Sequence, residues 1–260
     1  MILSLRLQTA IDAARAGAKA ALLYFNSTSP LDIEFKSDLS VVTKADLESQ
    51  SEIKAYILEK LGDQVFIMEE DQSSQQAKED TWIIDPIDGT KEFSRSLDSW
   101  AILVAYAAGQ EITCGVAYFP VSEKMFYAEK GFGAYLNGEK ISVSAVSDKK
   151  KAFSSFSPIA YADEFERGRL LSLATSFGSS MRSTVASYAG ANIACGKMDF
   201  YLGMKHNRIW DNAPFAVIIP EAGGRVTDWK GDPLDISNYD SPVVMSNGIL
   251  HEEVVKILNP

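Results

Sequence analysis

With 260 residues, the chain can form one large domain or two packed halves around a sizeable core, and its 46% hydrophobic content is that of an ordinary soluble globular protein. A formal charge of -10 argues against a nucleic-acid-binding surface, which needs Lys and Arg footprints, although an acidic chain can bind a phosphate ester if metal ions supply the positive charge. No run approaches the roughly 18 apolar residues of a membrane span, and the alanine-rich start, with Arg6, Asp12 and Arg15, reads as a helix rather than a signal peptide. A cytoplasmic location is the expectation. The cysteines, Cys114 and Cys195, are far apart in apolar surroundings and read as separate buried thiols, not as a disulfide or a nucleophile.

Leu7, Ala10, Ile11, Ala14, Ala18, Ala21, Leu22 and Phe25 recur at helical spacing, and the alanines predict close helix-on-helix packing. A second helix is expected from about Leu47 to Leu61, stopped by Gly62. Val65 to Met68 reads as a short buried strand ending at Glu69 and Glu70, and Asp71 to Asp80 as an exposed loop. Strands follow over Trp100 to Tyr106, Ile112 to Phe119 and Lys124 to Glu129, and Asn137-Gly138 marks a tight hairpin. The polar, basic stretch Ser144 to Lys151 is the best boundary, giving an N-terminal α+β half, residues 1–145, and a C-terminal α/β half, residues 146–260. Helices are expected over Asp163 to Ser176 and Val185 to Gly196, and another from near Asp211 to Gly223. Strands are expected over Asp199 to Leu202, Arg225 to Asp228 and Val243 to Met245, before a final helix. His251 reads as an exposed helix-start residue. Interleaved helices and strands in both halves imply an α/β or α+β class with layered sheets.

The segment Trp82-Ile-Ile-Asp85-Pro86-Ile87-Asp88-Gly89-Thr90 carries the most chemistry. A hydrophobic strand ends in carboxylates, which are hard ligands suited to Mg²⁺. Pro86 fixes its own φ, and Gly89 lets the backbone approach a ligand closely. The amides of Gly89 and Thr90 can then face an anion. Glu69, Asp85, Asp88 and Asp211 are acids at element ends with apolar flanks. Brought near one point they would repel one another unless cations bound between them. Asp211 alone could be a helix cap, and Glu69 alone a solvated strand end.

Asp85-Pro-Ile-Asp-Gly-Thr90, the upstream Glu69-Glu70 pair and Trp210-Asp211-Asn-Ala with Glu221-Ala-Gly-Gly224 resemble the signatures of the inositol monophosphatase superfamily, in the same order and at similar separations. Lys36 to Asp46 is similar to that family's N-terminal segment ending in Thr-x-Ala-Asp. The resemblance implies a layered αβαβα sandwich, Mg²⁺ dependence with two or three ions per site, hydrolysis of small phosphate monoesters, a homodimer and lithium sensitivity. Carried over, Glu69, Asp85 and the Ile87 carbonyl would hold one Mg²⁺ and Asp85, Asp88 and Asp211 a second, with Glu69 also serving a weaker third. One metal would activate water and the other stabilise the leaving oxygen. Thr90, hydrogen-bonded to Asp46, would orient the water, with Glu70 as a further catalytic candidate. The amides of Gly89 and Thr90 would bind phosphate oxygens.

The substrate is less defined. Inositol phosphatases carry Gly-Ser/Thr-Ala where this chain has Thr184-Val185-Ala186, and a substrate-contacting glutamate where it has Gly203 to His206, with no carboxylate. Lys205, Asn207 and Arg208 instead could favour a second anionic group, and Thr90-Lys-Glu-Phe93 and Asn207 to Asp211 are similar to the 3′(2′),5′-bisphosphate nucleotidase branch. A small polyol or sugar phosphate is the expected substrate, with adenosine 3′,5′-bisphosphate as the alternative. Histidinol phosphate, fructose bisphosphate and a non-catalytic phosphate-binding relative remain open. An Asp-x-x-Asp spacing, only His206 and His251, and no cysteine in a phosphate loop fit the haloacid-dehalogenase, His-rich metallophosphoesterase and thiol phosphatase chemistries poorly.

Overall fold

A computed structural model describes residues 3–26, 34–35, 41–42, 44–71, 80–178, 181–205, 207–240 and 242–260. Expectations for His206, for the stretch before Val41 and for most of the 71–80 loop lie outside these residues.

Helix α1 (Leu5–Leu22) opens with the Ser4 side chain accepting the Leu7 amide. The two-stranded β1 (Glu34–Phe35) and β2 (Val41–Val42) precede α2 (Lys44–Leu61), which begins earlier than its apolar pattern suggests, with Asp46 in its first turn. It stops at Gly62, whose φ of +72° is the left-handed C-terminal signal. The alanine face of α1 does pack on α2. A Cβ on Gly17 would sit 2.5 Å from Ile53, so only glycine permits this approach.

Strands β3 (Val65–Met68), β4 (Thr81–Asp88), β5 (Ala101–Ala108), β6 (Glu111–Phe119), β7 (Lys124–Glu129), β8 (Gly133–Leu136) and β9 (Glu139–Lys140) form one seven-stranded sheet in sequential order, with the four-residue helix α3 (Thr90–Phe93) between β4 and β5. Only the β3–β4 pair is parallel. Asn137 and Gly138 take φ values of +50° and +90°, the pattern of a type I′ turn. Ile141 still donates its amide to Ala134 of β8, and the chain then leaves the sheet, Val143 donating its amide to Ala222.

The second sheet has five strands in the order β11-β10-β12-β14-β13: β10 (Ser154–Phe156), β11 (Met181–Ser183), β12 (Phe200–Gly203), β13 (Arg225–Asp228) and β14 (Val243–Ser246). Strands β10 and β11, only three residues each, give too little alternation to be read in the sequence. The helices of this half are α4 (Glu164–Ser176), with an Asp163–Glu166 capping box, α5 (Ala186–Ala194), α6 (Ile209–Asn212), α7 (Phe215–Glu221) and α8 (His251–Leu258). The single helix expected after Asp211 is broken in two at Pro214. Asp211 lies in the first turn of α6, where its carboxylate accepts the amide of the N-cap residue Arg208 and so helps cap the helix.

Three apolar clusters define the layers. The first joins α1 and α2 to the outer face of the large sheet through Ile53, Trp82, Ile102 and Val104. The second fills the space between the sheets, where α5 and α7 carry Ile193, Phe215, Val217 and Ile219 against Leu103, Phe126 and Tyr201. The third seats α4 and α8 on the far face of the small sheet through Leu173, Phe200, Val244 and Val254. The result is an αβαβα sandwich. Glu221, at the end of α7, accepts the Gly131 and Gly133 amides at 2.7 Å each and so ties the middle layer to the β7–β8 hairpin.

His251 is completely buried, contrary to its reading as an exposed helix-start residue. Its ring lies 2.9 Å from the Thr227 hydroxyl and 2.8 Å from the Ser246 hydroxyl. Thr227 donates its own proton to the Asp228 carbonyl, so it accepts from Nε2–H. Ser246 accepts the Gly248 amide and donates to Nδ1. This network fixes the neutral tautomer, and burial pushes the imidazole pKa down to about 4. The sequence pattern missed it because the helix's apolar stripe does not include a polar residue paired by two strands. Cys114 is buried and Cys195 half-buried, and both are free thiols whose pKa burial raises. Among the described residues, no helix is long and apolar enough to cross a membrane.

Candidate active site

Strand β4 is buried along its whole length, and its first half pairs regularly with β3 and β5. Residues three apart on a regular strand face opposite sides of the sheet. Pro86 offers no amide to the ladder, and the register with β5 slips between Asp85 and Asp88. That slip lets both carboxylates join Asp211, brought in by α6, in one cluster whose ligand oxygens all lie within 4.8 Å of one another. Glu69 follows β3, its amide bonded to the Ile84 carbonyl at 3.2 Å, and its carboxylate faces Asp85.

Each carboxylate of the cluster has one oxygen anchored by a backbone amide. Asp85 accepts from Ile87 at 2.9 Å, Asp88 from Ser187 at 2.9 Å and Asp211 from Arg208 at 3.0 Å. The opposite oxygen of each is then the one that a cation can take. Burial raises the Asp85 pKa well above its ordinary value, with the Glu69, Asp88 and Asp211 charges adding to it. Burial likewise raises Asp88 to about 6, against the pull of Ser187. Asp211 is raised by burial and then by Asp88 and Glu69, while the Arg208 amide and guanidinium oppose the shift. Like charges packed this closely, with oxygen ligands alone, fit a hard divalent cation of the Mg²⁺ kind. Among the described residues no histidine or cysteine belongs to the cluster, and its all-carboxylate donor set does not match zinc.

Beside the carboxylates, the Thr90 hydroxyl lies 3.3 Å from Asp46 Oδ1 and 3.2 Å from the Ile87 carbonyl oxygen, both of which can accept its proton. Asp46 is fully buried in the first turn of α2, and the same helix fixes the turn through Ser49, which donates to the Pro86 carbonyl at 3.1 Å. Gly89 takes φ +91°, and a Cβ there would press on Trp100 at 3.3 Å, so glycine is required at this bend. The Gly89 and Thr90 amides open α3 without an intrahelical acceptor. Glu70 lies beside Glu69 in the turn, its amide donated to the Gln50 side chain at 3.0 Å.

Most of the candidate residues thus meet: Glu69, Asp85, Ile87, Asp88, Gly89, Thr90, Asp46 and Asp211. The flanking cations are directed differently. Lys205 reaches Asp163 at the start of α4 at 3.1 Å, and the Arg208 guanidinium reaches Asp240 at 3.7 Å while lending charge to Asp211. Asn207 is buried, not part of a polar surface loop. Sequence reading missed Ser187, which stands 99 residues from the carboxylate that it anchors and belongs to no motif. Only a helix start following a short strand could have hinted at it.

The sequence profile of the Inositol monophosphatase family matches residues 3–260. The chain is 34% identical over 225 residues to the fructose-1,6-bisphosphatase/inositol-1-monophosphatase of Thermotoga maritima, covering 84% of this chain and 82% of that protein. It is 32% identical over 236 residues to the histidinol-phosphatase of Mycobacterium tuberculosis, covering 88% of each. The solved structure of a Thermotoga maritima IMPase superposes with a TM-score of 0.85 at 29% identity, covering 98% of this chain and 96% of that one.

Proposed function

The chain belongs to the inositol monophosphatase family and is a phosphoric monoester hydrolase acting with a divalent metal; from that premise we propose how its residues divide the work and which ester they take. The observation that carries the reading is the anchored cluster of Asp85, Asp88 and Asp211, with the Thr90 hydroxyl and Asp46 beside it. Glu69, Asp85 and the Ile87 carbonyl would hold one Mg²⁺, and Asp85, Asp88 and Asp211 would hold a second, with Glu69 able to serve a third. Bound Mg²⁺ supplies Lewis acidity, easing the deprotonation of water near neutral pH and neutralising phosphate charge.

The chain's own groups orient the reaction. The Gly89 and Thr90 amides receive phosphate oxygens at the bend that Gly89 alone can make. Thr90 accepts a hydrogen bond from the attacking water and passes a proton on to the Asp46 carboxylate, the base among its two acceptors. Asp46, fully buried, is the group that can take up the released proton, and Glu70, half-buried beside Glu69 in the chain, is the further carboxylate candidate. Water then displaces the alcohol directly, with no phospho-enzyme. We further propose a small polyol or sugar phosphate as substrate, inositol phosphate foremost, in a cytosolic homodimer inhibited by lithium. The pairing of Lys205 with Asp163 counts against a site built for a second anion.

Phosphate release with Mg²⁺ from inositol 1-phosphate, fructose 1,6-bisphosphate, histidinol phosphate and adenosine 3′,5′-bisphosphate, each with and without Li⁺, tests this. Inositol 1-phosphate should lead in kcat/KM. A clear lead for the adenosine compound would overturn the substrate assignment.

A further inference from the structure

Behind Asp211 lies a line of buried polar side chains that no step of the proposed reaction uses. Tyr201, at 1% exposure in the middle of β12, donates its hydroxyl to Asn207 Oδ1 at 3.0 Å. Asn207 donates Nδ2 to Asn212 Oδ1 at 2.5 Å, and Asn212 donates Nδ2 to the Arg208 carbonyl at 2.8 Å. The amide of that same Arg208 donates to Asp211 Oδ2 at 3.0 Å.

The line has a direction. A carbonyl can only accept, so Asn212 must present its amide nitrogen to Arg208 and its oxygen to Asn207. Asn207 must in turn present its nitrogen to Asn212 and its oxygen to the tyrosine proton. Flipping Asn212 would set like against like at both ends, and flipping Asn207 alone would set oxygen against oxygen at Asn212. The packing is equally constrained. A Cβ on Gly203 would lie 2.9 Å from Asn207 Cγ and 2.5 Å from Val243, so β12 ends in glycine to leave Asn207 its place. Ser157 completes the enclosure by accepting the Met204 amide at 3.0 Å.

We propose that Tyr201, Asn207 and Asn212 are positioning residues for the metal site: their one-way relay fixes Asn207 and the Arg208 carbonyl, and so the backbone on both sides of the Arg208 amide, which holds one Asp211 oxygen while the other is presented to the cation. The proposal rests on the metal role given above to Asp211. Groups that orient a ligand's second atom commonly alter metal affinity about 10- to 100-fold when removed. Rigid support is needed here more than at Asp85 or Asp88, because α6 has only four residues and cannot fix its own side chains by helix length.

The test is Mg²⁺ and Mn²⁺ binding to the full chain by titration calorimetry, with the melting temperature in EDTA measured in parallel. Asn212→Leu keeps the volume and removes both hydrogen bonds. Tyr201→Phe removes only the first proton of the line and preserves packing. The metal Kd should rise about 10-fold or more in Asn212→Leu and about 2- to 3-fold in Tyr201→Phe. Both variants should recover kcat at saturating Mg²⁺, since no reacting group has been lost. A lower melting temperature with unchanged metal Kd in both variants would make the relay merely structural and overturn the proposal. Failure of the unaltered chain to bind either metal would instead overturn the metal role of Asp211, and this proposal with it.

Discussion

The acidic cluster and the His251 pocket both bury titratable groups, and they treat them in opposite ways. At His251, two hydroxyls and a fixed tautomer satisfy both ring nitrogens, and the group stays neutral. At Asp85, Asp88 and Asp211, one oxygen of each acid is held by a backbone amide, and the acids otherwise face groups of their own charge, Asp85 meeting the Glu69 carboxyl. A fully satisfied buried polar group contributes to a unique fold, whereas a partly satisfied one of single sign is a standing requirement for a ligand. The difference therefore separates a stability element from a functional one without reference to any motif.

The largest expected effect that would break this contrast is at Asp88. Asp88→Asn should lower Mg²⁺-dependent kcat/KM by about 10³-fold or more, while the metal-free protein melts no lower than the parent, because a repelling charge has gone. Unchanged phosphate release would remove Asp88 from the metal site. Next comes His251→Leu, which removes the ring partner of both hydroxyls and leaves the Ser246 proton without its acceptor. A loss of about 2–3 kcal/mol in urea unfolding is expected, with activity per folded molecule preserved. Lost activity in fully folded protein would show that the pocket is not purely a stability element.

The two regions should also respond to pH with opposite sign. Asp88, raised from 3.8 to about 6, favours the metal-free fold when protonated; that contribution is full below 3.8 and lost as pH rises through about 6. His251, lowered from 6.5 to about 4, stabilises above 6.5, and its contribution is lost as pH falls through about 4. Asp85 and Asp211, raised by burial and by the neighbouring carboxylates, add to the acidic side, so in EDTA the acidic cluster should outweigh His251 and the metal-free fold should lose stability as pH rises. Adding Mg²⁺ should reverse only the acidic part, raising the melting temperature at pH 7.5 by several degrees and at pH 5 hardly at all. Differential scanning fluorimetry at both pH values decides it; equal stabilisation at both would contradict the assignment of the raised pKa to the binding site.

A smaller effect sharpens the comparison. Glu221→Gln weakens the charged acceptor of the Gly131 and Gly133 amides and should cost about 1–2 kcal/mol in unfolding free energy with no change in kcat. The smallest is Lys205→Met. With its ammonium on Asp163, its loss should leave KM for mono- and bisphosphate substrates within about twofold, and a selective loss of bisphosphate binding would restore Lys205 to the substrate site.

Much of this was legible in the sequence. The Asp-Pro-Ile-Asp-Gly-Thr run and the Trp-Asp motif identified the metal-ligand candidates, because local chemistry decides which side chains can coordinate a hard cation and which bend demands glycine. Apolar periodicity located α1, α2 and most central strands, since a two- or 3.6-residue repeat is itself the burial pattern. What only the tertiary structure decided depends on contacts distant in the chain. Pro86 displaced the β4–β5 register and so turned Asp85 and Asp88 to one side, Pro214 split the helix around Asp211, and the start of α5 delivered the Ser187 amide to Asp88. The same held for the burial of His251 between β13 and β14 and for the capture of Lys205 by Asp163. A sequence lists which groups can form hydrogen bonds and ion pairs. Which partners they find is set by how strands and helices from separate stretches pack against one another.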